Sequence, residues 1–159
     1  MENNLRRNVM GVIINNEWKV LLWQYVSSGS RTFPKWWLEN GETNNEGILR
    51  EIEEELAIKK DNLNIIGHYK QEYQKIFTEE EIQWKKVNKG EDYRGKTEKI
   101  MILKYNGDNS DIDINVSNEL KAYNRVSISE LSLYIKHGDL LNIIDTDMLE
   151  KIIWKIDIF

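Results

Sequence analysis

Apolar and polar positions change their spacing several times along the chain, and each change predicts an element. Residues 9–14 and 18–25 are rich in Val, Ile, Leu and aromatics, and Asn15 and Asn16 between them predict the turn of a hairpin. Residues 27–30 read as a loop, and 33–42 as a segment ending in the turn signal Asn40 and Gly41. From Thr43 the period lengthens. Ile48, Ile52 and Leu56 recur every four residues with Leu49 beside them, the stripe of an amphipathic helix. Thr43 and Glu46 have the spacing of a capping box, which satisfies two orphan N–H groups at a helix start. Residues 62–77 predict one or two strands, 82–99 a long polar loop, 99–105 a strand, 107–118 a polar excursion and 122–126 a short strand. Ser127 and Glu130 repeat the capping-box spacing and predict a helix that stops near Gly138. Residues 140–156, with Leu141, Ile144, Met148 and Ile152 in register, predict a closing helix. Strands interleaved with helices and hairpins point to an α/β fold, a mixed sheet covered by helices.

Composition narrows the class. The chain has 159 residues, 40 % hydrophobic and 31 % charged, enough for one core, and no repeat or linker divides it, so a single domain over residues 1–159 is expected. No apolar run is long enough to span a membrane, and the first residues lack a secretory pattern. With 0 Cys there is no disulfide framework, thiolate nucleophile or zinc ribbon; a cytoplasmic address is the expectation. The net charge of -5 argues against stable DNA binding through bulk positive charge, while leaving room for a local basic site.

The helix after Thr43 carries candidate chemistry on the face away from its apolar stripe. Glu51, Glu54 and Glu55 fall within about one turn, because positions three and four apart lie one above the other. Three carboxylates there form a hard-oxygen cluster suited to a divalent cation such as magnesium or manganese. Taken alone, such a row also suits a solvated helix face, since like-charge neighbours cost only about 0.2–0.5 kcal/mol per pair.

The surrounding spacing decides between the two. Glu42, Arg50, Glu51, Ile52, Glu54, Glu55 and Ile58 stand at the intervals of the pattern G-x5-E-x7-R-E-U-x-E-E-x-G-U, with U a bulky aliphatic residue. The chain therefore resembles the Nudix hydrolases. Trp36 stands where that pattern has its first glycine, and Ala57 where it has its second. A glycine at the helix end serves as a cap, so alanine there should cost modest stability rather than chemistry. Looser matches around Arg6, Phe33, Pro34, residues 95–99 and 119–127 are similar to bacterial RNA pyrophosphohydrolases and dinucleoside polyphosphate hydrolases.

The resemblance implies an α/β/α sandwich with a mixed sheet and a pyrophosphohydrolase that uses Mg2+ or Mn2+. It implies metal coordination by Glu51, Glu54, Glu55 and Glu119, with Glu51, Glu54 and Glu119 catalytic and Glu119 either a further ligand or the general base. Glu42 and Arg50 would orient those carboxylates through a bidentate pair. Substrate contacts are expected from Arg6, Lys35, Trp84, Tyr93, Arg94 and Lys96. Residues 85–99 hold six cations against three anions, with Trp84 and Tyr93 in or beside them, the mixture that base stacking and phosphate contact require. Trp36 and Trp37 are open between stacking on a base and packing. His68 has no partner at metal-ligand spacing. The expected substrate is a nucleotide or the 5'-phosphorylated end of RNA: pyrophosphate removal from 5'-triphosphorylated RNA or cleavage of a dinucleoside polyphosphate. The alternatives are a (d)NTP pyrophosphohydrolase and a non-catalytic nucleotide-binding module.

Overall fold

The computed structural model describes residues 4–26, 29, 31–107, 112–116, 120–135, 138–144 and 149–151. The Asn15–Asn16 hairpin forms: β1 (Leu5–Ile14) turns into β2 (Lys19–Tyr25), and the Asn15 side chain accepts from the backbone N–H groups of Glu17 and Lys19. β3 (Arg31–Thr32) pairs with β2, and β4 (Lys35–Trp37) pairs antiparallel with β1. The capped helix α1 spans Asn44–Leu56, followed by β5 (Leu63–His68) and β6 (Tyr73–Ile76). Then come α2 (Glu79–Lys89), β7 (Gly95–Tyr105), β8 (Leu120–Ser127), α3 (Leu131–Tyr134) and α4 (Gly138–Ile144).

The strands join in one mixed sheet. Its central pair, β1 and β7, is parallel and runs from Leu5 opposite Gly95 to Ile14 opposite Lys104. The other pairings are antiparallel, including β2 with β8 and both β5 and β6 with β7. Strand alternation sends Val9 and Ile13 to one face and Met10, Val12 and Ile14 to the other. Ile48, Ile52 and Leu56 of α1 cover the first face; Leu131, Leu140 and Ile144 from the C-terminal helices cover the second. This is the expected α/β/α arrangement.

Three expectations need correction. Residues 82–99 are not a loop: Thr78 and Glu81 form a capping box that opens α2, and Gly90, at φ 66, closes it in the left-handed conformation. No side chain of α2 is buried, so the helix has no apolar stripe to betray it. Likewise, Ser127 makes no side-chain cap bond. A tight 3-10 turn over Ile128–Glu130 buries Ile128 instead and leads into the short α3, while Gly138 starts α4 rather than ending a helix. β7 begins four residues earlier than the apolar run suggests. Of the closing helix, α4 and residues 149–151 are helical; 145–148 and 152–156 lie outside the described residues.

Candidate active site

Helix α1 places its glutamates because both ends are fixed. At its start, Thr43 Oγ1 accepts from the Glu46 N–H (3.2 Å) and Glu46 returns a bond to the Thr43 N–H (3.0 Å). At its end, Ala57 takes the left-handed conformation at φ 58 that the family pattern reserves for glycine, and its N–H caps the Glu53 carbonyl. With the apolar stripe on the sheet, Arg50, Glu51 and Glu54 face outward. Arg50 is their organiser. Its Nε and Nη2 donate to the two oxygens of Glu42 (2.7 and 3.1 Å), and its Nη1 donates to Glu51 (3.0 Å) and Glu54 (3.0 Å).

Glu42 also accepts from the Glu39 N–H (3.0 Å), which ties the loop before α1 to the helix. The loop can approach this closely because position 47 is glycine: a Cβ there would strike the Leu38 side chain and lie 3.0 Å from Glu42 Oε2.

The charge balance follows. The bidentate Arg50 bond holds the Glu42 carboxyl below the usual carboxylate range, and Glu42 in turn raises the Arg50 guanidinium above its ordinary value. Burial pushes the Glu51 carboxyl up; Arg50 opposes the shift, and the nearby charges of Glu54 and Glu55 reinforce it. Three carboxylates (Glu42, Glu51 and Glu54) thus share one guanidinium, and Glu55 adds a further negative charge beside Glu51. The donor set is all hard oxygen and carries uncompensated negative charge, which fits a divalent cation. Among the described residues, no three such side chains are already gathered as ligands, and Glu119 lies outside the described residues.

The opposite face of the sheet carries a cleft of about 370 Å³. Residues alternate onto it from three strands: Arg6 and Asn8 of β1, Lys35 and Trp37 of β4, and Lys96 and Glu98 of β7. Three of the residues expected at a substrate site, Arg6, Lys35 and Lys96, therefore meet here. Burial lowers the Lys35 ammonium below its ordinary value, and the neighbouring Lys96 adds to the shift. Arg6 is lowered by burial too; it pairs with Glu91 (2.8 Å) and stacks on the Trp37 ring, with Tyr93 5.5 Å away.

Trp84, Tyr93 and Arg94 are not part of the cleft lining: Trp84 is exposed on α2 with Lys89 over its ring, Tyr93 sits behind Arg6, and Arg94 is exposed. Tyr73, Phe77, Asn8 and Glu98 line the cleft although the sequence reading did not single them out. The available signal was polar residues alternating inside otherwise apolar strands.

The two tryptophans divide their roles. Trp36 is 7 % exposed and packs edge-on against Trp23, with ring centroids 5.2 Å apart. It is core, filling the place of the first motif glycine. Trp37 points the other way into the cleft and is substantially exposed. β4 therefore borders the cleft and runs on through Leu38 to Glu42, linking the basic cleft to the acidic helix.

Comparison with known proteins agrees with this fold. The family model for the NUDIX domain matches residues 4–145. No curated protein matches the chain. Among solved structures, a C. elegans Ap4A hydrolase in a binary complex is 19 % identical with a TM-score of 0.66, covering 91 % of this chain and 96 % of its own. A MutT protein from Methanosarcina mazei Go1 is 18 % identical with a TM-score of 0.62, covering 98 % and 97 %. The E. coli dihydroneopterin triphosphate pyrophosphohydrolase is 16 % identical with a TM-score of 0.60, covering 85 % and 90 %. At these identities the likeness is one of fold, whereas the family model spans most of the chain: the protein belongs to the Nudix family of pyrophosphohydrolases.

Proposed function

We propose that the chain hydrolyses a nucleoside polyphosphate, holding one nucleoside in the basic cleft and its phosphate chain toward the glutamates of α1. The observation that carries this reading is the continuity of β4, which lines the cleft with Lys35 and Trp37 and ends in the loop that positions Glu42. The cleft volume suits a single nucleotide. Glu51, Glu54 and Glu55, with Glu119, are the residues to hold Mg2+ or Mn2+. Such an ion, when bound, neutralises charge on the bridging oxygens and lowers the pKa of a bound water. Arg50 fixes the rotamers of Glu51 and Glu54, and Glu42 fixes Arg50; both are positioning residues. Lys35 offsets phosphate charge at the cleft, and Trp37 offers a ring for stacking.

A dinucleoside polyphosphate and a 5'-triphosphorylated RNA end both present a terminal nucleoside with a polyphosphate attached. The RNA reading is favoured by the exposed cations of α2, Lys86 and Lys89, which lie outside the cleft where a following strand could pass. The test is one panel of diadenosine tetraphosphate, 5'-triphosphorylated RNA and the (d)NTPs, with Mg2+ or Mn2+ and products identified by 31P NMR. Cleavage of at least one anhydride, with turnover largely lost in Glu54→Gln, is expected; wild-type turnover in Glu54→Gln contradicts the assignment. A steep fall of kcat/KM with salt for RNA alone would mark the RNA backbone as part of the substrate.

A further inference from the structure

The cleft floor holds two buried acceptors that nothing among the described residues satisfies. Glu98 has no exposed surface; the Lys96 ammonium takes its Oε1, while Oε2 has no hydrogen-bond partner. Asn8 is 4 % exposed, and its Oδ1 also lacks a partner. The two residues are opposite one another on the parallel pair β1–β7, and both line the cleft. Buried polar atoms in folded proteins are nearly always paired, so two adjacent orphans on the floor of a cleft mark a place where a ligand supplies the donors.

We infer that this floor selects a base by a two-donor edge: a ring N–H beside an exocyclic amine, as on N1 and the 2-amino group of guanine. This rests on the cleft being the nucleoside site. Planarity favours a base over a ribose diol as the donor, because the aromatic rings of Trp37, Tyr73 and Phe77 line the same cleft. Adenine offers a donor beside an acceptor at the equivalent edge, which would set its ring nitrogen against an oxygen lone pair. Hypoxanthine keeps the N–H but lacks the amine. A site built to receive a donor rejects the analogue without it, because its own buried acceptor is then left unpaired. Lys96 matters through Glu98: by occupying Oε1 it turns the carboxylate so that one oxygen remains for the ligand.

The test reads base choice without hydrolysis, by titrating GMP, IMP and AMP into metal-free protein and following tryptophan fluorescence. The wild type should bind GMP at least about tenfold more tightly than IMP or AMP. Glu98→Gln should weaken GMP by about tenfold and leave AMP within about threefold, because an amide can turn its N–H2 toward the ligand and present a donor. Asn8→Ala, which removes no charge, should shift the same ratio and serves if Glu98→Gln fails to fold. A neopterin arm distinguishes a purine from a pteridine bearing the same donors. Equal affinities for GMP, IMP and AMP, or variants that weaken all three alike, overturn the inference. If GMP is preferred yet no anhydride is cleaved in the substrate panel, the base edge stands and the hydrolytic reading falls.

Discussion

Arg50→Ala isolates the contact on which the acidic helix depends. The guanidinium makes two bonds to Glu42 and one each to Glu51 and Glu54. Side-chain exposure is 27 % for Arg50, 12 % for Glu42 and 16 % for Glu51, so these bonds are shielded, whereas Glu54 at 57 % is largely solvated. Charge-assisted bonds contribute about 1.5–3 kcal/mol each when fully buried; at these partly exposed sites water screens them to about 1 kcal/mol each, and the exposed Glu54 pair to a few tenths.

Counting the bidentate pair as about 2 kcal/mol and Glu51 as about 1 gives a loss of about 3 kcal/mol, part of it from carboxylates left facing one another. For a domain of this size that lowers Tm by about 6–12 °C. Arg50→Lys keeps the charge but not the fork and should lose about 1–2 kcal/mol. Chemical denaturation followed by tryptophan fluorescence measures both. Added Mg2+ should recover more of the deficit in Arg50→Ala than it adds to the wild type, since the cation replaces the missing positive charge. An Arg50→Ala loss below about 1 kcal/mol, or a lysine variant no better than alanine, would refute the assignment of the fork as the organiser.

Other consequences are separable. Ala57→Gly should stabilise the chain by about 0.5–1 kcal/mol, because the left-handed cap penalises a Cβ more than glycine's unfolded-state entropy costs; the same denaturation assay reads it. Trp36→Gly restores the family pattern yet should cost about 3–5 kcal/mol, since it empties the space beside Trp23; a neutral result would show that Trp36 is not core. For pH, Glu42 titrates below its unfolded value, so its contribution is present above that value and lost as pH falls through its folded pKa. Glu42→Gln should therefore be less stable than wild type at neutral pH and show a shallower loss as pH falls below the ordinary carboxylate value of 4.5, by thermal melts over that acid range.

Much of the site was legible because local rules place it. The capping box at Thr43, the four-residue apolar stripe and the interval from Glu42 to Glu55 all act within one helix and its leading loop, where spacing in sequence is spacing in space. α2 carried the same cap signal at Thr78 and Glu81, but its charged, wholly unburied face offered no periodicity. The cleft was legible only in part. Arg6 and Lys96 lie side by side through the register of a parallel pair ninety residues apart in sequence, and no local pattern encodes that register. Glu98 reads as one more charge in a lysine-rich stretch until β7 carries it to the centre of the sheet, where it is the most deeply buried charged side chain among the described residues.

The central claim is that Glu51, Glu54 and Glu55 take up a divalent cation. Titration of Mn2+ followed by electron paramagnetic resonance tests it directly, because the free-ion signal falls as the ion is bound. Saturable uptake by the wild type, weakened at least about tenfold in Glu51→Gln and in Glu54→Gln with unchanged folding, is the predicted result. Uptake that is absent in the wild type, or indifferent to both substitutions, would contradict it.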